Sequence, residues 1–546
     1  MTGAEIIRKY KALEGKKDNW NNLFQECADW CWPTNDNINQ IRIEGQEKSQ
    51  QRMIDTCIEA NFNFASGFFS HMFPPNTVWA KLRHPNPALM SIEAVANYYE
   101  KVSRAVHQVL IGSNFSQEEF QALLAMGCFG TNCLSVEEDD KEYVKFRNFI
   151  VENIVIDENF LGEVDTVGRT IELTPRQAVQ QFGEEALNKA ELGHVVSDAI
   201  EVRDRKYKFV HMVCPRADFE YGSKSSKDKP FASYYVSKDT KEIVKEGGFD
   251  YNPYKVGRFT TGNGEAYGRG PMSMVLGTAR RTNVIYRSMI VSAEQNANPQ
   301  WLIPDDDSVK DLSGRAGAHV KWRSSNPNGK PERLQTNGDP GIAVDMYELH
   351  DAQIKRMFFN HLFRPLEDYR NMTATEVNER MTTDMMTLAP FVSRYQDEHV
   401  SPVIEQVYYI LQKRKVLPPM PQELMDAPEF DIDYVGRLSL ATKSFETLGA
   451  INTLRIFGEL GQMSPQLMVS IDNVDPDKLF KEIWYANSSS MNALKDVELV
   501  DEMREQRAQQ AQQQQFVDNL APTADAVQKL SGSVDPSSIV ESLRGE

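Results

Sequence analysis

Thr261-Gly262-Asn263-Gly264-Glu265-Ala266-Tyr267-Gly268-Arg269-Gly270 runs directly into Pro271, the first residue of a long helical pattern. Glycines ahead of a helix can cradle a phosphate, because the helix N-terminus offers unpaired N–H groups and the positive end of its dipole. This run lacks the terminal Lys-Ser/Thr of a P-loop and the spacing of a dinucleotide fingerprint, and no clear buried strand precedes it. A tight loop that starts the helix sharply is the simpler reading. Asp305, Asp306 and Asp307 could offer oxygens to a divalent cation. Three consecutive carboxylates point in different directions, however, and further ligands would have to come from elsewhere. A solvated turn accounts for them. Asp431 and Asp433 flank an apolar position in a strand pattern and are expected to face solvent. The nine histidines are scattered. His71, His107, His361 and His399 fall in helical patterns as core or interface groups, and neither HExxH nor GxSxG occurs. The six cysteines form no CxxC pair. Cys27 and Cys31 are one helical turn apart, but no second Cys/His pair follows at zinc spacing. They predict buried or partly buried free thiols in a reducing compartment. The sequence nominates no nucleophile, base and oxyanion set, so no enzyme, metal or cofactor is expected.

The remaining chemistry is charge. Arg280, Arg281 and Arg287 lie on the first long helix; Lys355, Arg356 and Arg364 end a second one, and Arg370 lies in the loop beyond it. Lys321, Arg323, Lys330 and Arg333 lie between the two helices. Singly each is an ordinary solvated charge. Together they mark both ends of a helix pair, where DNA or a protein would be met if the chain lines a channel. The whole protein is nevertheless acidic, with a net charge of -18 over 546 residues. Such a field does not grip nucleic-acid phosphates. It suits a surface that DNA passes without sticking.

The elements that must position these residues read as α+β, mainly helical. Length allows roughly three or four cores at about 150 residues each. No apolar run approaches the ~18 to 20 residues needed to span a bilayer, and no signal-peptide pattern opens the chain. Helical patterns cover residues 5–32, 51–72, 91–110 and 117–128. Residues 134–137, 143–148 and 164–173 read as one strand meander, and Thr174-Pro175 as a helix start. Residues 206–215 and 231–244 form a hairpin. Residues 271–297 and 343–363 are long helices with thin apolar stripes. The breaker-rich stretch between them has strand-like pieces at 301–303 and 319–322. Thr373 with Glu376 reads as a capping box that opens another long helix, with breaks at Pro390 and Pro402. Phe430, Ile432 and Tyr434 alternate as a strand. The Gln-rich stretch 501–515 is either disordered or a helix in a symmetric bundle.

Several segments, in this order, resemble the head-to-tail connector, or portal, proteins of short-tailed bacteriophages. They are the Trp-rich first helix (Trp20, Trp30, Trp32), Phe-Pro-Pro-Asn-Thr-Val-Trp at 73–79, and Ala-Tyr-Gly-Arg-Gly-Pro-Met-Ser-Met-Val-Leu-Gly at 266–277. Thr-Ala-Thr-Glu-Val from Thr373, Ser-Pro-Val-Ile-Glu from Ser401 and Leu-Pro-Pro from Leu417 complete the set.

The resemblance implies a homo-oligomeric ring, commonly a dodecamer, at one capsid vertex. It implies an α+β wing over 1–270, a first stem helix over 271–298, a clip over 299–342 and a second stem helix over 343–363. A tunnel loop over 364–373, a wing helix and crown over 374–500 and a barrel helix or disordered tail over 501–546 would follow. The channel would pass double-stranded DNA without reading sequence. Arg364, Arg370, Lys355 and Arg356 are the channel candidates. Trp301, Asp305, Asp306, Asp307, Lys321, Arg323, Lys330 and Arg333 would face the terminase large subunit and later the tail adaptor or nozzle proteins. Major capsid and scaffolding proteins are the other implied partners; no membrane is. A virion scaffold protein without a channel is the alternative, and a nucleotide-dependent cytoplasmic enzyme is a third.

Overall fold

The computed structural model describes residues 1–35, 37–39, 52–75, 77–90, 92–201, 205–219, 225–297, 300–303, 332–333, 340–363, 386–425 and 429–435. All lie in the first of two compact units, Met1–Phe445. The expected 319–322 strand, the crown and the Gln-rich tail lie outside the described residues.

Helix α1 (Gly3–Cys31) opens with a capping box in which Thr2 and Glu5 satisfy each other's backbone N–H groups. Its first half lays Ile6, Ile7, Tyr10 and Leu13 on a sheet, and its second half sends Phe24, Cys27, Ala28 and Cys31 into the main core. Between them Lys17 is buried, donating to the carbonyls of Val151 and Glu152. Burial pulls its ammonium down to about 8. Helix α2 (Thr56–Met72) follows, then strand β1 (Ala80–Arg83), the short α3 (Pro87–Met90), α4 (Glu93–Gly112) and α5 (Phe115–Phe129). Helix α5 stops at Gly130, whose φ of 78° is left-handed. A Cβ there would strike the backbone of Arg269 and Gly270, so this helix end is locked against the loop ahead of the long helix.

The expected single meander is two sheets. Strand β2 (Thr131–Asp139) pairs with β3 (Tyr143–Phe149) and, on its other edge, with β9 (Tyr254–Arg258). Strand β4 (Ile154–Glu158) diverts the chain into a five-stranded antiparallel sheet with β5 (Val164–Leu173), β6 (Tyr207–Pro215), β7 (Phe231–Ser237) and β8 (Ile243–Phe249), in that order. The expected hairpin is β6 with β7, but its second arm ends at Ser237, and a turn sends 243–249 back as a separate strand.

Strand β6 shows the period of two that a sheet covered on both faces requires. Val210, Met212 and Cys214 pack against α1. Tyr207 and Phe209 pack against three short helices, α6 (Pro175–Phe182), α7 (Glu184–Lys189) and α8 (Gly193–Ile200). Thr174 caps α6 reciprocally with Gln177, with Pro175 at the first turn.

Helix 389–413 carries the main core onto β9. It runs as Ala389–Tyr395, a π-helical turn Gln396–Val400, and Ser401–Lys413. Pro390 lies in the first turn of Ala389–Tyr395. Pro402 does not end the helix as expected. It lacks an N–H, and its ring crowds the carbonyl four residues back. The helix widens just ahead of it, and Ser401 N–H bonds Gln396 O, five residues away. Tyr395 and His399, beside and on this turn respectively, both reach the fully buried Glu119 of α5, at 2.5 Å and 3.0 Å. The strand that the alternation of Phe430, Ile432 and Tyr434 led us to expect is β10 (Asp431–Tyr434), and it pairs antiparallel with β1. Asp431 is exposed, whereas Asp433 is half-buried and ion-paired with Arg83.

Candidate functional site

Helix α9 (Pro271–Ala297) is rooted by its first half. Met272, Val275, Leu276, Ala279 and Thr282 are buried, and beyond Thr282 no residue of it is. The loop before it holds no phosphate-binding geometry. Thr260–Thr261 pairs with Gly268–Arg269, and Glu265 folds back onto Arg269 through two contacts of 2.8 Å and 2.6 Å. Arg280 pairs with Glu26 of α1, and Asn283 accepts from Met53 N at 2.8 Å.

Helix α10 (Pro340–Met357) returns antiparallel beside α9, with the Tyr286 and Tyr347 rings 5.5 Å apart. It is rooted by its last turns, where Asp351 accepts from Thr56 Oγ1 at 2.6 Å and Ile354 is fully buried. The expected single helix over 343–363 is broken. Phe359 takes a left-handed φ of 57°, and a short turn α11 (Asn360–Phe363) follows.

Beyond their shared root both helices keep apolar side chains in the open. Val284 is 63% exposed and Val291, one heptad on, 42%. Ile342, Met346 and Leu349, at helical spacing, are exposed as well, Leu349 by 59%. At the distal end Trp301–Leu302 pairs antiparallel with Glu332–Arg333, with Trp301 opposite Arg333 in register.

The structure therefore brings two of the expected clip residues, Trp301 and Arg333, onto facing strands. It places Lys355 and Arg356 at the root, away from that end. Lys355 lies 3.1 Å from Asp351 and 3.7 Å from Glu59, so its charge is already balanced, whereas Arg356 is exposed. Asp305, Asp306, Asp307, Lys321, Arg323, Lys330, Arg364, Arg370, Thr373 and Glu376 lie outside the described residues. Among the described residues no group of three or more His, Cys, Asp or Glu is arranged to hold a metal, and no helix is long and apolar enough to cross a membrane. All six cysteines are buried free thiols. Burial pushes Cys27, Cys57 and Cys128 well up and Cys133 up to about 12, which leaves them inert as nucleophiles.

Comparison with known proteins decides what kind of chain carries this helix pair. The family described as bacteriophage head to tail connecting protein matches residues 3–488. The chain belongs to that family. It is 24% identical over 507 residues to the portal protein of Salmonella phage epsilon15, covering 91% of this chain and 90% of that one. It is 24% identical over 545 residues to the probable portal protein of Bordetella phage BPP-1, covering 97% and 96%.

Among the described residues, the first three segments that carried the resemblance are packing motifs, which is why they offered no chemistry. In this connector-family chain Trp20 stacks on Phe24 at 5.5 Å and meets Tyr267 at 5.7 Å, joining the first helix to the loop before α9. Arg269 lies 4.9 Å over the Trp20 ring, and Tyr267 accepts from Ile156 N. Phe73 and Trp79 close edge to face at 4.8 Å around the Pro-Pro turn, and Trp79 also stacks on Phe115. The thin apolar stripes were legible in the sequence, but Val284, Val291, Ile342, Met346 and Leu349 were not singled out there as the residues left in the open.

Proposed function

We propose that this chain is a portal subunit. Copies close into a ring at one capsid vertex, and the ring is the channel through which double-stranded DNA enters during packaging and leaves during ejection. The observation that carries this reading is the α9–α10 pair, rooted at one end and holding apolar stripes in the open along its length. A soluble chain rarely exposes aligned apolar residues without a partner surface. Helices set side by side around a rotation axis would cover them with copies of themselves, in heterologous contacts that close on rotation. The paired strands at Trp301 and Arg333 support reading this end as the clip, which would meet terminase first and the tail adaptor later. Capsid and scaffolding proteins meet the ring at its vertex, and the subunit acts there as a structural part rather than a catalyst.

The acidic surface lets DNA slide, since few phosphates are neutralised and few counterions released. Arg364 and Arg370 grip the backbone transiently without reading bases. Lys355 is the weaker channel candidate, because Asp351 and Glu59 already hold it. Electron microscopy of the purified protein is the test: a ring with a central hole of duplex width is expected, and compact particles without a hole would defeat the proposal. NTP hydrolysis by the isolated protein would favour the enzyme alternative instead. For the arginines, Arg364→Ala with Arg370→Ala is expected to lower packaged-genome retention; unchanged retention removes the gripping role.

A further inference from the structure

Two arginines in the sheet-bearing part of the fold lack a carboxylate partner. Arg169 on β5 stands in register with His211, Tyr235 and Lys245 across the five-stranded sheet. Arg147 on β3 stands opposite Ser135, which is itself opposite Tyr254, in the three-stranded sheet. The two rows meet around one ring. The Arg169 guanidinium lies 4.4 Å from the Phe149 centroid and Arg147 lies 6.0 Å from it. Arg169 is only 7% exposed, and its Nε has no hydrogen-bond partner. Among the described residues neither arginine forms an ion pair. Two cations on one ring repel, and a desolvated guanidinium with an unused donor is costly.

Both line a cavity of about 320 Å³ and, with Gln181, a second of about 390 Å³ beside it. The other charges on the first wall are mostly spent. Lys229 pairs with Asp250 at 2.7 Å and Lys413 with Glu138 at 2.6 Å. Glu137, exposed on β2, is the remaining acidic lining group, so two arginines face one carboxylate. Asp250 also accepts from Tyr409, and His211 is tied to Tyr254 and Ser233; Arg169 bonds the Tyr235 side chain, which leaves its Nε–H and the Arg147 guanidinium as the open donors.

We propose that this cavity binds a phosphate-class oxyanion, free or as the terminal phosphate of a small molecule, bridged between Arg147 and Arg169. Guanidinium forks match such an anion in plane and charge. The bound anion would cancel the repulsion and clamp the two sheets together, apart from the helix pair.

The test uses the full chain. Thermal unfolding and calorimetric titration are followed with inorganic phosphate and with adenosine monophosphate, against chloride at equal ionic strength. A saturable rise in Tm is expected, and Arg147→Ala, at an exposed position that spares the fold, should weaken phosphate binding by about tenfold or more. Arg169→Lys should weaken it as well. Tighter binding of the nucleotide than of phosphate assigns the occupant to a phosphomonoester whose base uses the tyrosine wall; equal affinity assigns it to the free ion. No saturable response in the unaltered protein, or the same response in Arg147→Ala, overturns the proposal. So does Arg147→Ala blocking ring formation while phosphate binds nowhere, because the arginines would then meet an acidic side chain of a neighbouring copy.

Discussion

Arg258→Met is expected to destabilise the protein by about 3–5 kcal/mol, the usual cost of stripping one member from a buried charge network. The Arg258 side chain is 5% exposed. Its Nε and Nη2 bind both oxygens of Glu398, at 3.0 Å and 2.8 Å, and Nη1 pairs with Glu158. Carbonyls of Gly162 and Ala266 take the remaining donors. One guanidinium thus ties β9 to the β4–β5 turn, to the loop before α9 and to the π-helical turn that carries Glu398. Methionine fills much of the volume but strips the shared cation from Glu158 and Glu398, each about a quarter exposed, leaving Glu398, among the described residues, only Arg394 at 3.9 Å. Arg258→Met with Glu398→Gln should recover part of the loss, because it removes one stranded charge. The check is the urea midpoint of the three proteins at constant m-value, with amide exchange followed at 396–400. A loss under about 1 kcal/mol would mean that solvent already screens both carboxylates, as at exposed pairs.

Long elements were legible because burial writes its period into the local sequence. Helices α1, α4, α5 and α9 start and stop within a few residues of their patterns, and the Thr174-Pro175 start needs only two residues to read. What escaped is non-local. Strand β9 is buried throughout, yet it pairs with β2, more than a hundred residues earlier, and no local window holds both. The same applies to the sheet partition. Residues 134–173 alternate as one meander would, and only β4, which pairs backwards onto β5, separates them. The arginine cavity was invisible for the same reason, since Arg147 and Arg169 meet only through two registers. The helix pair was legible in length and family pattern. The channel and clip roles proposed for it rest largely on residues beyond those described, with Trp301, Arg333, Lys355 and Arg356 as the placed exceptions.

Lys255→Met is expected to stabilise the protein by about 2–3 kcal/mol at pH 7, with the gain fading as pH rises. Lys255 lies on β9 opposite Leu134 and is 6% exposed. The strand is covered by helix 389–413, which largely desolvates the ammonium, and Glu405 is the charge that opposes this. Burial therefore pulls it down to about 8, with Glu405 opposing the fall. Below that value folded and unfolded chains both carry the charge, and the folded state bears the whole desolvation cost. Between about 8 and the ordinary lysine value near 10.4 the folded chain releases its proton while the unfolded chain keeps it, so stability rises with pH. Methionine removes the cost at neutral pH and has little left to remove near pH 10.5. The gain stays below the full shift, because Glu405, itself held up by burial, loses the attraction of Lys255. Urea midpoints at pH 7 and pH 10 decide it. A gain of the same size at both values, or a loss at pH 7, would show that the ammonium is solvated or bonded in the folded chain and that its burial costs nothing.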